Sequence, residues 1–251
     1  MCGRYTITVT LEELMTRFDL DGSHIPYHLP KYNVAPGQMV LAVIHDGSRR
    51  RIGELKWGLI PEWSQDEGIG SKMINARAET AADKPAYRVP LRRRRCLIPA
   101  DGFYEWKRTA GGKQPLRITL KHGGLFAMAG LYDTWTSPEG RKISTCTVLT
   151  TTPNRLVADI HDRMPVILRP EEEGLWLSRD VREPEALLPL LRAYAAEEME
   201  AYPVSSLVGN VRNVNPALVE RVDLQASPGA VDSRGGTPMK TGALIQQSWL
   251  F

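Results

Sequence analysis

The sequence predicts an α+β fold built around antiparallel β-sheet, with few helices. Short runs rich in Val, Ile, Leu and Thr recur between turn residues along most of the 251-residue chain, which is typical of strands. Helical periodicity is confined to a few separate segments. No interior stretch has the composition of a linker, so we expect a single domain over residues 2–224. Residues 225–251 are rich in Gly, Pro, Ser and Thr, which predicts a flexible tail.

The first predicted element is a short amphipathic helix over residues 10–18. Thr10 and Glu13 have the spacing of a capping box, which marks the start of a helix. Apolar side chains recur on one face, which we expect to pack on the core: Leu11, Leu14, Met15 and Phe18. Residues 24–38 follow, and their proline and polar residues predict a long ordered loop.

Strand patterns fill most of the remaining chain. Residues 39–46 and 51–57 flank Asp46-Gly47 and predict a hairpin. Residues 116–132 predict a second hairpin, with Gly123-Gly124 at its turn. Further strands are predicted at 142–151, 164–168 and 202–208, and helices at 171–177 and 184–202, the last one interrupted by Pro189.

Composition argues against several classes of protein. The sequence has no run of about 18 apolar residues that could span a membrane, and its N-terminus lacks the basic and apolar segments of a secretory signal. Three widely spaced cysteines, Cys2, Cys96 and Cys146, argue against a disulfide framework and favour a reducing cytoplasm. Cys96 and Cys146 lie in apolar runs, where we expect them to be buried and inert. Without a Cys-x-x-Cys motif or a ligand-spaced pair of histidines, we expect neither a metal nor a cofactor.

The net charge of +3 is unevenly distributed along the chain. Residues 77–117 hold eleven Lys or Arg against four acidic residues, whereas residues 171–200 hold three against nine. This polarity indicates one face that suits an anionic partner. The run from Arg92 to Arg95 is the most basic part, although a solvated edge strand or loop explains it better than direct contact with nucleic acid.

Position two holds a cysteine directly behind the initiator methionine. Because a small residue at this position permits removal of Met1, we expect Cys2 to carry a free α-amine and a free thiol on adjacent carbons. Their reference pKa values are roughly 8 to 8.5, so both groups react at neutral pH. The amine can condense with an aldehyde to an imine, and the thiol can then close a five-membered thiazolidine. The structural alternative is that Cys2 is a small buried hydrophobe.

Further polar residues stand in segments that core packing does not explain. Asn75 and Arg77 are two residues apart and would project to one face of an extended segment. Glu105 lies between two aromatic residues, and a carboxyl near apolar rings has a raised pKa, which suits a general acid. His161 stands in a turn-like stretch. Taken singly, each has a structural explanation: a turn or cap for Asn75, a surface ion pair for Glu105, and a hydrogen-bonded structural role for His161.

Taken together, a set of motifs closely resembles the SRAP family, the SOS response-associated peptidase fold. The motifs follow in order from Cys2 to about Val222: MCGRY, YNVAPGQ, WGLIPEW, NARAET, RRCLIPADGFYEW, FAMAGLYDTW, TTTPN and IHDRMPVIL. A cysteine at position two combined with NARAE, GFYEW and HDRMP is a specific signature. The resemblance implies a single, mostly antiparallel and barrel-like domain.

The resemblance also implies that the protein senses an abasic site in single-stranded DNA and forms a covalent cross-link with it through Cys2. Such a cross-link shields the lesion during the SOS response to DNA damage. The opened deoxyribose offers an aldehyde at C1′, the electrophile that an aminothiol requires. By similarity, Asn75 holds the Cys2 terminus and Glu105 protonates the opening sugar ring and assists the reverse reaction. His161 assists proton transfer and orients the sugar.

The DNA contacts are likewise expected from the resemblance. Arg77 and Arg163 match positions that bind flanking phosphates, and Arg4 is a weaker candidate. Trp106 is placed to pack at the site. We expect a monomer in the cytoplasm, associated with the nucleoid when bound to damaged DNA. Residue type predicts stacking surfaces for splayed bases at Pro36, Trp57 and Trp63.

Two other classes of function remain open. Cys2, Asn75 and His161 could form a papain-like peptidase set, or Cys2 could be an N-terminal nucleophile whose own amine is the base. In either case the loss of Met1 would be a first autoproteolytic turnover. A non-enzymatic single-strand binder would need the two phosphate-binding arginines but not the cysteine. The basic segment weighs against a general peptidase, and an imine without ring closure would give lyase-like chemistry.

Overall fold

Strands dominate the computed structural model, which describes residues 2–20 and 28–224. The strands are β1 (Tyr5–Ile7), β2 (Lys31–Val34), β3 (Met39–His45), β4 (Arg50–Trp57), β5 (Asn75–Arg77), β6 (Arg95–Ala100), β7 (Gly102–Thr109), β8 (Gly112–Leu120), β9 (Phe126–Thr136), β10 (Lys142–Thr151), β11 (Met164–Pro165), β12 (Ile167–Leu168) and β13 (Met199–Pro203). The α-helices are α1 (Leu11–Phe18), α2 (Pro85–Arg93), α3 (Arg155–Ala158), α4 (Pro170–Leu177) and α5 (Pro184–Leu187). Short 3₁₀ helices lie at Glu67–Lys72, Ala78–Thr80, Leu188–Leu190, Ala196–Glu198, Ser206–Gly209 and Pro216–Val219.

Five strands of the larger sheet close into a barrel. β10 pairs with β4, β4 with β3, β3 with β6, β6 with β9, and β9 returns to β10. β5 and β11 extend the sheet from β10, and β12 extends it from β9. The β10 pairings with β4 and β5 are parallel and the others are antiparallel. This closure confirms the predicted α+β fold of mostly antiparallel, barrel-like sheet with few short helices.

A smaller antiparallel sheet has the strand order β13-β8-β7-β1-β2. In it Tyr5 of β1 lies opposite both Val34 and Phe103. One continuous cluster of buried apolar side chains joins Tyr5 and Phe103 to Leu97 and Met128 of the barrel. Because this shared core holds both sheets, the chain ahead of β1 enters the interior of the molecule rather than its surface.

The predicted N-terminal helix is confirmed as α1. The Thr10 hydroxyl accepts from the backbone N–H of Glu13, and the Glu13 carboxylate accepts from the backbone N–H of Thr10, so both halves of the capping box form. Leu14 and Phe18 are fully buried, as the apolar periodicity requires. The helix ends at Asp19, whose φ of 52° is left-handed.

Other local predictions are also confirmed. β3 and β4 form the hairpin around Asp46-Gly47, β10 occupies 142–151, and α4 covers the helix predicted at 171–177. The strand predicted at 164–168 divides into β11 and β12. Cys96 and Cys146 are both fully buried.

One predicted loop and one predicted hairpin turn are wrong. Within the loop predicted at 24–38, residues 31–34 form β2, because β1 supplies a hydrogen-bonding partner that the local sequence does not reveal; residues 24–27 lie outside the described residues. Gly123-Gly124 does not close a hairpin. β8 pairs with β7 and β13, whereas β9 pairs with strands of the barrel, so the glycine turn leads from one sheet to the other.

The C-terminal predictions are wrong in extent. The helix predicted over 184–202 reduces to α5 and short 3₁₀ helices, and residues 199–203 extend as β13 because they pair with β8. Of the strand predicted at 202–208, the second half is a 3₁₀ helix at Ser206–Gly209. The predicted tail over 225–251 and the expected loss of Met1 lie outside the described residues.

The arginine run does not form a solvated edge strand or loop. Arg92 and Arg93 end α2, a helix that the sequence analysis missed. Arg94 pairs with Asp133. Arg95 begins β6 and is only 6% exposed, and its guanidinium donates to the carbonyls of four residues: Leu91, Trp176, Ser178 and Val181. Part of the basic segment is therefore used to hold the fold together.

None of the helices in the described part of the chain is long and apolar enough to cross a membrane.

Candidate active site

Cys2 lies in the interior, directly ahead of β1. Its side chain is fully buried, and β1 is an inner strand of the smaller sheet that runs between β2 and β7. Burial raises the pKa of the Cys2 thiol well above its usual range, and the Glu105 carboxylate raises it further once it has ionised. The thiol is therefore protonated at neutral pH, and it lies within electrostatic reach of the carboxyl predicted to act with it.

Glu105 is on β7, the strand that pairs with β1. It is 3% exposed, and its aromatic neighbours Tyr104 and Trp106 are buried and half-buried. This burial raises the pKa of Glu105 to about 8. The pKa shift expected from the aromatic surroundings is confirmed, so Glu105 holds a proton at neutral pH and can donate it.

His161 reaches the same place from the loop after α3. Its Nε2 lies 3.9 Å from Oε2 of Glu105. On the other side of the ring, Nδ1 accepts from the backbone N–H of Arg163 at 3.0 Å and lies 2.9 Å from Oδ1 of Asp162, so Nε2 is the nitrogen that faces Glu105. Burial lowers the pKa of His161, which keeps the imidazole neutral at physiological pH. A neutral imidazole beside a protonated carboxyl can relay protons.

Asn75 begins β5, and the parallel pairing of β5 with β10 sets it opposite Val148. Its Nδ2 and Oδ1 are buried and have no hydrogen-bond partner among the described residues. A buried amide without partners is unfavourable, so its donors and acceptor remain available for further hydrogen bonds. The hydroxyl of Tyr87 donates to the Asn75 carbonyl at 3.3 Å and steadies its backbone.

The two predicted phosphate-binding arginines lie beside the same residue of β10, Thr150. Arg77 is opposite Thr150 in the β5–β10 pairing and its side chain is exposed. Arg163 donates to the Thr150 carbonyl at 2.5 Å and forms a two-pronged ion pair with Glu79. The structure thus brings both arginines together, one exposed and one already engaged by the protein.

Arg4 is engaged as well, although the sequence made it a candidate for DNA contact. Its guanidinium donates to Asn33 Oδ1 at 2.8 Å and to the Val208 and Gly209 carbonyls, and lies 5.8 Å from the ring centre of Trp106. It therefore fastens the 206–209 turn to the chain that follows Cys2. Trp106 packs beneath it, next to Glu105.

The three predicted stacking surfaces differ in the structure. Trp57 is 1% exposed, packs its ring 5.5 Å from that of Tyr5 and donates its Nε1–H to the Ile74 carbonyl. A buried indole presents no face to a base, so the stacking role predicted for Trp57 is wrong. Pro36 is exposed, and Trp63 is 61% exposed, so both retain a surface for contact.

Two residues of this region were missed by the sequence analysis. Glu79 belongs to the NARAET motif two positions after Arg77, and that spacing is the signal that could have found it. Asn33 is buried and bonds four groups, but a single asparagine in a polar segment carries no local signal. In the described part of the chain, no three His, Cys, Asp or Glu side chains are grouped to hold a metal ion.

Comparison with known proteins gives consistent matches over most of the chain. Residues 1–211 match the family described as SOS response associated peptidase (SRAP). The chain is 53% identical over 224 residues to the abasic site processing protein YoqW of Bacillus subtilis, covering 88% of this chain and 99% of that protein. It is 33% identical over 227 residues to the abasic site processing protein HMCES of Gallus gallus, covering 78% of this chain and 67% of that protein.

The fold is also shared with solved structures. A crystal structure of a protein from Bacteroides thetaiotaomicron superimposes with a TM-score of 0.78 at 28% identity, covering 88% of this chain and all of that one. A second, from Bordetella bronchiseptica, superimposes with a TM-score of 0.70 at 27% identity, covering 81% of this chain. With the family match and the sequence identities, these findings show that the chain belongs to the SRAP family.

Proposed function

We propose that this chain captures abasic sites in single-stranded DNA by forming a covalent bond through Cys2 after Met1 has been removed. One observation carries the proposal: a buried thiol, a protonated carboxyl and a neutral imidazole, from Cys2, Glu105 and His161, converge from separate segments on one place. The names of the relatives, abasic site processing proteins, support the same substrate.

The first step is opening of the sugar. An abasic deoxyribose is mainly a cyclic hemiacetal, and its C1′–O4′ bond must break to expose the aldehyde. Glu105, with its pKa at about 8, gives its proton to O4′ as the bond breaks, and the proton of the C1′ hydroxyl goes to the Glu105 carboxylate, which restores the acid. His161, whose Nε2 is 3.9 Å from Glu105, takes part in returning a proton to the carboxylate.

The second step joins protein to DNA. The Cys2 amine attacks the C1′ aldehyde, and the resulting carbinolamine loses water to give an imine. The thiol then adds across the C=N bond: its sulfur bonds to C1′, its proton goes to nitrogen, and a thiazolidine closes. Because burial keeps the thiol protonated, the amine attacks first. One water molecule leaves for each cross-link formed.

Asn75 would hold the new amino terminus of Cys2 during this sequence. Its amide has both an acceptor and donors buried without a partner among the described residues, as a group waiting for an amine requires. Arg77, exposed at the end of β5, would bind a flanking phosphate.

The peptidase alternative receives less support from the geometry. A papain-like mechanism needs a thiolate, whereas burial keeps the Cys2 thiol protonated. It also needs the imidazole paired with the thiol, whereas the His161 Nε2 faces the Glu105 carboxyl at 3.9 Å.

The experiment that tests the proposal mixes the purified protein with a single-stranded oligonucleotide carrying one abasic site. We expect a band of reduced mobility on a denaturing gel that survives heating. The matched control is the same oligonucleotide with a tetrahydrofuran analogue, which has the same shape but cannot open to an aldehyde. A heat-stable band from both oligonucleotides, or from neither, would contradict the proposal.

A further inference from the structure

The guanidinium of Arg163 already has a partner that resembles a phosphate. Its Nη1 and Nη2 donate to the two carboxylate oxygens of Glu79 at 2.8 and 2.9 Å, in a parallel fork. The fork of an arginine fits a carboxylate and a phosphate in the same way. Glu79 therefore covers the edge of the guanidinium that a DNA phosphate would use.

Of the two partners, Glu79 is the one that can leave. Its side chain is 44% exposed, whereas that of Arg163 is 14% exposed. Arg163 is also held from behind, because its Nη2 donates to the Thr150 carbonyl of β10 at 2.5 Å and its backbone N–H donates to His161. The carboxylate can swing into water while the guanidinium stays in place.

The Glu79 carboxylate is within electrostatic reach of two positive charges, Arg163 and Arg77. The hydrogen bonds from Arg163, and then the charges of Arg163 and Arg77, lower the pKa of Glu79, so its carboxylate is ionised at neutral pH. Arg77 is on β5, opposite Thr150 of β10. The carbonyl of this same Thr150 accepts the hydrogen bond from Arg163. The two arginines and the carboxylate thus form one small charged patch.

These contacts leave one hydrogen-bond donor of the Arg163 guanidinium unused. Its Nε is buried and has no hydrogen-bond partner among the described residues. A planar carboxylate on the two terminal nitrogens leaves that donor unused. A phosphate has oxygens in a tetrahedral array and can bind the guanidinium with a different set of donors, so it is a suitable ligand to replace Glu79.

We propose that Glu79 is a specificity-determining residue: in the unbound protein its carboxylate occupies the Arg163 fork, and a phosphate flanking the lesion must displace it. This inference rests on the proposed function and extends it. An intact strand brings phosphates but no aldehyde, so it displaces Glu79 without the gain of a covalent bond. Glu79 therefore weakens binding to undamaged DNA and favours retention of strands that can react.

The test measures binding of an undamaged single-stranded oligonucleotide by fluorescence anisotropy over a range of salt concentrations. We expect Glu79→Gln to bind about three- to tenfold more tightly than the original protein. Its log–log salt slope should be steeper by roughly 0.7, because in the original protein the displaced carboxylate takes up a cation and offsets the release of one counterion. Asp83→Asn is the matched control, since Asp83 is an exposed acid on the same segment and its removal changes the net charge equally.

A double-variant cycle separates the fork from a general change of charge. In an Arg163→Gln background, Glu79→Gln should no longer tighten binding. Glu79→Asp, which keeps the charge but shortens the side chain, should give a smaller gain and serves if the glutamine variant is unstable. The role of Glu79 is overturned if Glu79→Gln behaves like Asp83→Asn, or if its effect persists without Arg163.

The same data distinguish this inference from the proposed function. Binding by the original protein with no gain in Glu79→Gln contradicts the role of Glu79 alone. Failure of the original protein and of Glu79→Gln to bind the oligonucleotide, together with failure to cross-link abasic DNA, contradicts both.

Discussion

Glu105 combines a carboxyl group with deep burial, and this has consequences for both reactivity and stability. Burial raises its pKa from an ordinary value of 4.5 to about 8. The group is therefore neutral at physiological pH, which avoids a buried charge and leaves an acid ready to donate. Above its pKa the same burial becomes unfavourable, since the interior must then hold a carboxylate.

Replacing Glu105 by glutamine tests the acid role. Glutamine keeps the shape and hydrogen bonding of the side chain but has no acidic proton to give. We expect Glu105→Gln to slow cross-linking by about 10²–10⁴-fold while binding of the same abasic oligonucleotide changes little. Rates come from quenched time courses on denaturing gels and binding from anisotropy. Equal losses in the two quantities would assign Glu105 a positioning role.

The stability of the protein should depend on pH through Glu105. Because its pKa is higher in the folded state than in the unfolded chain, the folded protein binds more protons between pH 4.5 and 8, and stability falls as pH rises through that window. We expect a loss of roughly 2–5 kcal/mol across the window that is missing in Glu105→Gln. Urea unfolding at about pH 5 and about pH 8.5 measures it. The same pH dependence in both proteins would show that Glu105 titrates normally.

For single residues, the sequence predicts the reactivity of a side chain better than its burial and its contacts. The paired functions of Cys2 and the acidity of Glu105 follow from residue type and neighbours. The burial of Trp57 and the ion pair of Arg163 do not, because they depend on side chains brought in from distant segments. An exposed tryptophan and a buried one look alike in a sequence.

Among the secondary structure elements, two long-range strand pairings assemble the site. β1 with β7 brings the segment of Cys2 to the strand of Glu105, and β5 with β10 sets Asn75 opposite Val148. The sequence predicts β10 as a strand, whereas it gives the extended form of residues 75–77 only as a condition under which Asn75 and Arg77 share a face. The pairings themselves have no local signal, since register is decided by which buried faces meet. For the same reason the local pattern of residues 116–132 predicts a hairpin, although β8 and β9 belong to different sheets.

The 206–213 segment lies beyond β13, and Asn33 of β2 holds it in place. The Asn33 amide donates to the carbonyls of Val208, Asn210 and Asn213, and its oxygen accepts from Arg4. Since Asn33 is 3% exposed, water cannot readily replace these bonds.

Removing this side chain should destabilise the fold. We expect Asn33→Ala to lower the free energy of unfolding by about 2–4 kcal/mol, because several buried carbonyls and the Arg4 guanidinium lose a partner. Asn213→Ala is the control, as its side chain makes a single exposed bond to the Leu207 carbonyl and should cost less than about 1 kcal/mol. Denaturant unfolding gives both values. Similar losses in the two variants would mean that the buried network is not what holds the segment.

For the whole molecule, the class of fold could be predicted but the use of charge could not. Alternating strand patterns are local, so they predicted an α+β fold of antiparallel sheet, and the motif resemblance added the barrel. The excess of basic residues over 77–117 predicted a face for an anion. Part of that positive charge is paired within the protein, because Arg94 forms an ion pair with Asp133 and Arg95 is buried against backbone carbonyls. A count of charges cannot separate these uses, because the partners are remote in sequence.

The central claim is that amine and thiol of Cys2 act together on an aldehyde in DNA. Intact mass spectrometry of the adduct, formed without reductant, tests it most directly. The original protein should give the mass of the chain lacking Met1 plus the oligonucleotide, less one water. Cys2→Ser keeps the amine but offers a far weaker second nucleophile, so it should give an imine that survives only after borohydride treatment, with nicking of the strand by β-elimination. A stable adduct from Cys2→Ser without reductant, or an adduct of the original protein that retains Met1, would contradict the account.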